Sequence, residues 1–152
     1  MRRNDKEIVE QKAMDEIMDR AQVCRLGVSY ESMVYIIPMS FGYSDRALYF
    51  HSAPEGLKLM ILRENAKACF EVEFDTQVIP SAHGCNYTMR YQSVIGFGEV
   101  EFIEDLEGKR EALQIIMQHY GDNLKMVEDA ELSGITVFKL GVSTMTGKKS
   151  GY

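Results

Sequence analysis

Apolar residues recur at three- and four-residue spacing near the start of the chain. Ile8, Ala13, Met14, Ile17, Met18 and Ala21 mark one face of a helix that Asn4 or Asp5 can cap and that runs to about Arg20. After it the period shortens to two. Residues 23–30 alternate loosely and predict a strand, Glu31-Ser32 a turn, and residues 34–43 a longer strand rich in aromatic and β-branched side chains. The short polar stretch from Tyr43 to Arg46 predicts a hairpin onto a third strand over 47–52, which makes these two strands antiparallel neighbours.

Pro54 suits the first turn of a second helix, where a missing N–H costs nothing, with Ser52 placed to cap it and an end near Asn65. Residues 68–74 alternate clearly, with Cys69, Glu71 and Glu73 on one side and Phe70, Val72 and Phe74 on the other. A mixed polar loop follows over 75–87, then a long strand over 88–103 in which Gly96 and Gly98 mark a bend or bulge. Asp105 caps a third helix from Leu106 to Tyr120, with Ala112, Leu113, Ile116, Met117 and Tyr120 as its buried face and Gly121 as its left-handed stop. The polar residues 122–133 have room for one short helical turn, and a last strand covers 135–144. Six strands, mostly consecutive, and three helices exclude the strict strand–helix alternation of a doubly wound sheet. The expected fold is mainly β: one domain over residues 1–152, an antiparallel barrel with flanking helices.

Composition narrows the function classes. At 152 residues, 45% hydrophobic and 26% charged, the chain is of ordinary globular make-up. A net charge of −6 without any basic stripe argues against nucleic acid and anionic membranes as partners. No apolar run approaches the ~18 residues of a membrane span, and the charged start of the chain has no signal-peptide character. Cys24, Cys69 and Cys85 are odd in number and form no C-x-x-C pair, which fits reduced, structural thiols and a cytoplasmic location. Ten methionines and no tryptophan leave aromatic bulk to tyrosine and phenylalanine.

The stretch from Tyr49 to Lys58 carries the most chemistry. A strand delivers Ser52 to a helix start whose free N–H groups favour an anion, Gly56 permits close approach, and Lys58 lies about one turn on. Hydroxyl, amides and ammonium together suit a phosphate; the plainer alternative is an N-cap serine and a solvated lysine. His51 lies on the strand face opposite Phe50 and Ser52, either beside a ligand or satisfied by a backbone carbonyl. His83 and Cys85 flank Gly84 in a loop, but no second cluster completes a metal site, so none is expected. His119 reads as a surface or interface residue, and Glu99, Glu101, Glu104 and Asp105 as a solvated strand end and cap. Hydrolase, P-loop and Rossmann fingerprints are absent.

Tyr-Ile-Ile-Pro-Met-Ser-Phe-Gly-Tyr (35–43) followed by Leu-Tyr-Phe-His-Ser-Ala-x-Glu-Gly-x-Lys (48–58) resembles the flavin-binding split-barrel superfamily. More narrowly it is similar to the nitroimidazole-resistance branch of the pyridoxamine 5′-phosphate oxidase-like proteins. Ser-Val-Ile-Gly-Phe-Gly-Glu-Val (93–100), the helix after it and Thr-Gly-Lys (146–148) continue the likeness in order along nearly the whole chain. The resemblance implies a six-stranded antiparallel split β-barrel with FMN as cofactor. It implies that Ser52 and Lys58 hold the phosphate, that Ile37, Pro38, Met39 and Ser40 run along the isoalloxazine edge, and that His51 sits beside the flavin. It implies further contacts from Tyr91, Gln92 and Ser93 of a partner subunit, hence a homodimer with its sites at the interface. Branch members often have arginine at the position of Gln92, and pyridoxamine phosphate oxidases have arginine at the position of Leu57. The second departure argues against pyridoxamine phosphate oxidation.

The expected activity is an FMN-dependent oxidoreductase that reduces nitroaromatic or similar small acceptors, with His51 as candidate proton donor. The rivals are a haem-binding or haem-degrading protein on the same barrel, with His51 or His83 on the iron, and a non-catalytic flavin-binding module.

Overall fold

The computed structural model describes residues 4–121 and 128–152. After one turn of 3₁₀ helix at Asn4–Lys6, the elements are β1 (Glu7–Ile8), α1 (Gln11–Arg20), β2 (Cys24–Tyr30), β3 (Met33–Met39), β4 (Gly42–Ser44) and β5 (Ala47–Ser52). There follow α2 (Leu57–Glu64), β6 (Lys67–Ile79), β7 (Thr88–Ile103), α3 (Leu106–His119), α4 (Asp129–Ser133) and β8 (Thr136–Ser150). All ladders are antiparallel, in the order β3-β2-β6-β7-β8-β5-β4, with β1 pairing with β8 off that path.

This order closes the barrel. The two ends of the sheet, β3 and β4, are consecutive in the chain and separated only by Ser40 and Phe41. The three steps from Met39 to Gly42 span at most about 11 Å, so the sheet has to roll until its first and last strands meet. The expected single strand over 34–43 is therefore two: the first part pairs with β2 and the second with β5. The β4–β5 hairpin forms as expected, through a two-residue turn in which Asp45 and Arg46 both have positive φ, 49° and 59°.

Among the described residues the strands number eight where six were expected, because β1 and β4 are too short for a periodic signal. Helix α1 begins at Gln11, not at the Asn4 or Asp5 cap, because Glu7 and Ile8 are taken up in pairing with Lys148 and Gly147 of β8. Strand β6 runs to Ile79 through a bulge at Asp75, whose φ is 55°, into what composition marked as loop. β8 likewise extends to Ser150. β7 spans the expected 88–103, and Asp105 caps α3 by accepting from the Gly108 N–H at 2.8 Å. Gly121, at φ 78°, follows the helix as its left-handed stop. The short turn expected within 122–133 is α4 where it is described; residues 122–127 lie outside the described residues.

Core packing explains which periodic residues count. Met18, Leu26, Phe41, Leu48, Phe50, Phe70, Val72, Val94, Phe138 and Leu140 are fully buried in one cluster, with the rings of Phe50 and Phe138 stacked at 5.2 Å. The inner set of β6 is as expected, with Phe70 and Val72 buried, while Glu71 and Glu73 face out and pair with Arg25 at 3.0 Å each. Cys24 is buried, which pushes its thiol pKa up, as suits a structural cysteine. On α3 the buried residues are Ala112, Ile116 and, unexpectedly, Lys109, whose ammonium donates to the carbonyls of Leu132 and Ile135 at 3.3 and 2.9 Å and ties α4 to the start of β8. Tyr120 is instead 43% exposed.

Gly98 lies where the β7–β8 register shifts, and a Cβ there would stand 2.0 Å from the Gly141 carbonyl oxygen. Gly98→Ala should therefore lower stability by about 2–3 kcal/mol, read from the urea midpoint at unchanged m-value.

Candidate functional site

The β4–β5 ladder, the β3–β4 joint and the start of α2 meet at one corner of the barrel. β5 enters it with Phe50 and Ser52 (7% exposed) turned to the core and His51 turned out. The alternation expected of a strand thus holds to its last residue, and His51 and Ser52 stand on opposite faces. Ser52 does not cap α2. β5 stays paired with β8 through Ser52↔Thr136, so the chain needs Ala53–Glu55 to turn, Pro54 lies in that turn, and Gly56 is the N-cap. Gly56 has φ 138°, and a Cβ there would meet nothing within 4 Å, so the approach to the helix start is open.

No side chain caps α2. The first N–H groups of a helix have no acceptor within it, so those at Leu57 and Lys58 present donors and the positive end of the helix dipole to the corner. Lys58, half-buried, stands at the same end, and packing lowers its pKa below the ordinary 10.5. The His51 imidazole is held below its ordinary 6.5, first by packing that desolvates it and second by the Lys58 ammonium. The corner thus gathers two cationic-capable side chains, each penalised for carrying charge, around an uncapped helix start. An anion relieves all three costs, so the residues present fit a phosphate.

The strand expected along the flavin edge reaches the same corner. Extending the Gly42↔Tyr49 register by two residues brings Ser40 level with His51. β3 is an edge strand, and Pro38, which has no N–H to give β2, fits a position whose backbone faces away from that neighbour. By alternation the backbone of Ser40 also faces away from β2. Pro38 and Ser40 are exposed, Ile37 half-buried, and Met39 turns its side chain into the core. Any ligand contact along this edge is therefore chiefly to backbone.

Tyr91, Gln92 and Ser93 are elsewhere. Their row of the sheet runs through β6 and β2 to the level of Ser40, three strands away, about 14 Å at the usual spacing. Within one chain they do not line the corner. Gln92 donates to the Tyr152 hydroxyl at 2.9 Å, Tyr152 donates to Asp75 at 2.5 Å, and Arg90 pairs with Asp75 at 2.9 Å. The Tyr152 hydrogen bond, with Arg90, holds the Asp75 carboxyl below the usual range. Lys148 lies 5.5 Å over the Tyr91 ring. Tyr152, Asp75 and Arg90 carry no motif, and only the extension of β8 and the bulge in β6 bring them to Gln92.

The other histidines are accounted for. His83 and Cys85 lie in an exposed loop, and among the described residues no group of three or more metal-ligating side chains exists. His119 is part of the framework: its Nε2 bonds the Ala21 carbonyl at 2.7 Å and its ring packs 4.5 Å from Phe41. Among the described residues no helix is long and apolar enough to cross a membrane.

An antiparallel barrel split between two consecutive edge strands, with an anion-suited corner at the split, defines the architecture as a split barrel. The family model described as pyridoxamine 5′-phosphate oxidase matches residues 10–149, and the chain belongs to that family. It is 37% identical to a candidate 5-nitroimidazole antibiotic resistance protein from Bacteroides thetaiotaomicron, with a TM-score of 0.84 over 94% of this chain and 86% of that one. A flavocytochrome of Azotobacter vinelandii (19% identity, TM-score 0.84, 100% of this chain and 72% of that) shares the fold. So does an FAD and haem binding protein of Mycobacterium smegmatis (21%, 0.86, 97% and 74%). No curated protein matches the chain.

Two measurements follow from the corner. The His51 ring protons should titrate by NMR below 6.5, and Lys58→Met should move that pKa part of the way back up. Because the unfolded imidazole takes up its proton near 6.5 while the folded one resists it, the His51 contribution to stability is lost as pH falls through 6.5 toward the lower folded value.

Proposed function

We propose that the protein is an FMN-dependent oxidoreductase acting on nitroaromatic or similar small acceptors, as a cytoplasmic homodimer. The observation that carries this reading is the placement of His51, at the end of β5, and Lys58 beside the start of α2, which no side chain caps. In this reading Lys58 and the first α2 amides hold the phosphate, Ser52 borders it from the core side, and the backbone of Ile37, Pro38, Met39 and Ser40 meets the ring edge. His51 stands between the two ends and is the group able to give a proton from its ring to an acceptor oxygen. FMN, when bound, supplies the electron-transfer chemistry; the chain supplies position, electrostatics and exclusion of water. The 37% identity to a candidate 5-nitroimidazole resistance protein supports the acceptor class.

The dimer rests on the outer face of β3-β2-β6-β7. Ile36, Gly27, Cys69 and Phe97 form one row across it by register. Val34 and Phe97 are 72% and 58% exposed, and with Gly27, Ala68, Cys69 and Gly98 they line an apolar groove of about 430 Å³. In this reading a second copy covers this face and contributes its own Tyr91, Gln92 and Ser93 to the corner that they do not line within one chain.

The visible spectrum of the purified protein tests the cofactor: flavin bands support the reading, and a Soret band in their place favours the haem rival. Reduction by NAD(P)H followed by reoxidation with a 5-nitroimidazole tests the reaction; no turnover with any donor leaves a flavin-binding module. Lys58→Ala should weaken FMN binding by about 1.5–3 kcal/mol, the scale of a charge-assisted hydrogen bond, and leave riboflavin binding nearly unchanged. Phe97→Glu should shift the sedimentation coefficient to that of a monomer and remove FMN binding with it.

A further inference from the structure

Continuing the β2–β3 register two residues beyond Cys24↔Met39 sets Gln22 opposite Phe41. Pro38↔Arg25 is a rung without hydrogen bonds, since proline has no N–H, so by alternation Phe41 and Gln22 fall on a bonded rung. The direct bond is absent. In its place the Tyr120 hydroxyl accepts from the Phe41 N–H at 3.1 Å and donates to the Gln22 carbonyl at 2.8 Å. One phenol oxygen thus stands in for a rung of the ladder.

The last turn of α3 holds that oxygen firmly. Next to Tyr120, His119 bonds the Ala21 carbonyl at 2.7 Å and packs against the ring of Phe41, which is fully buried. One turn earlier, α3 lies so close to β4 that a Cβ on Gly42 would be 2.7 Å from the backbone at Ile115 and Ile116. The helix is therefore registered against the joint at Phe41 and Gly42.

The peptide group makes this matter for the site. The Phe41 N–H and the Ser40 C=O belong to one planar trans unit and point in opposite directions. Fixing the N–H on Tyr120 therefore fixes the Ser40 carbonyl on the far side, away from β2, at the level of His51. Among the described residues, no backbone hydrogen bond outside helices and strand ladders involves Ser40.

We infer that Tyr120 is a positioning residue for the cofactor: as a wedge between Phe41 and Gln22 it keeps the barrel split open and aims the Ser40 backbone carbonyl at the flavin ring edge. The inference rests on the proposed FMN reading. Its test compares wild type with Tyr120→Phe, which keeps the ring and loses both hydrogen bonds, and with Lys58→Ala. Affinities for FMN and for riboflavin are measured by flavin fluorescence, together with the long-wavelength flavin absorption band. Tyr120→Phe should weaken both ligands by the same factor, about fivefold to tenfold for one lost net hydrogen bond, and shift the band. Lys58→Ala should weaken FMN alone and leave the band in place. Amide hydrogen exchange in the protein without flavin should show protection at Phe41 lost in Tyr120→Phe while the melting temperature stays within a few degrees.

Wild-type binding of FMN and riboflavin by Tyr120→Phe, with an unshifted band, would overturn the role of Tyr120 and leave the FMN reading standing. Failure of the wild type to bind either flavin would overturn both. Should Tyr120→Phe not fold, 3-fluorotyrosine at position 120 keeps the hydroxyl and perturbs its acidity; an unmoved band in that protein also overturns the inference.

Discussion

A chain that leaves β3 at Met39 and enters β4 at Gly42 has two residues in which to exchange one strand partner for another. Much else in the molecule depends on this handover. It obliges the sheet to roll, since its two ends are nearest neighbours in sequence. It buries Phe41 at the point of closure and leaves Ser40 outside. It also interrupts two ladders at once, and an interrupted ladder exposes backbone donors and acceptors that must find other partners or a ligand. The joint is therefore costly for the fold and useful for recognition, for the same physical reason.

Electrostatics gives the corner its sign. The chain is acidic overall, with a net charge of −6, yet His51 and Lys58 are brought together without a carboxylate among the causes of either pKa shift. Several cations elsewhere are paired within the fold: Arg25 with Glu71 and Glu73, Arg90 with Asp75, Lys139 with Glu101. The exposed pairs add little to stability, but they leave the corner distinct. Two groups that resist charging beside an uncapped helix start are the electrostatic basis of the proposed phosphate site. The same coupling makes the site self-reporting: a phosphate beside the imidazole favours its protonated form, so binding FMN and raising the His51 pKa are one event in the proposed reading.

What the sequence revealed depends on how local the cause was. Elements defined by their own periodicity or caps were legible: β7 over 88–103, the Asp105 cap, the Gly121 stop and the hairpin at Asp45-Arg46. Elements defined by a distant partner were not. β1 exists because β8 passes alongside it, and the interruption at Ser40–Phe41 has no signature in a run that alternates evenly through it. The site divides the same way. His51 on the outer face of β5 follows from alternation, as does Ser52 facing in, while the helix start moved from Pro54 to Gly56 because strand pairing with β8 outlasted the capping preference. Lys109, His119 and Tyr120 read as ordinary residues of an amphipathic helix. Their roles are set by carbonyls of Leu132, Ala21 and Gln22 that sequence spacing does not connect to them.

The edge position of β3 links recognition to assembly. An exposed edge carrying Met33, Val34 and Ile36 is a liability for a protein in water, and the strand has only one internal neighbour, β2. The apolar outer side chains call for a covering surface, and the outward-facing backbone at Pro38 and Ser40 can meet a ligand. A second copy answers the first demand and, in the proposed arrangement, brings with it the residues that enclose whatever answers the second. In the proposed arrangement neither demand is met well alone, since assembly covers the apolar side chains and the cofactor meets the Ser40 backbone. Binding and association should then support each other, because each lowers the cost of the same exposed edge.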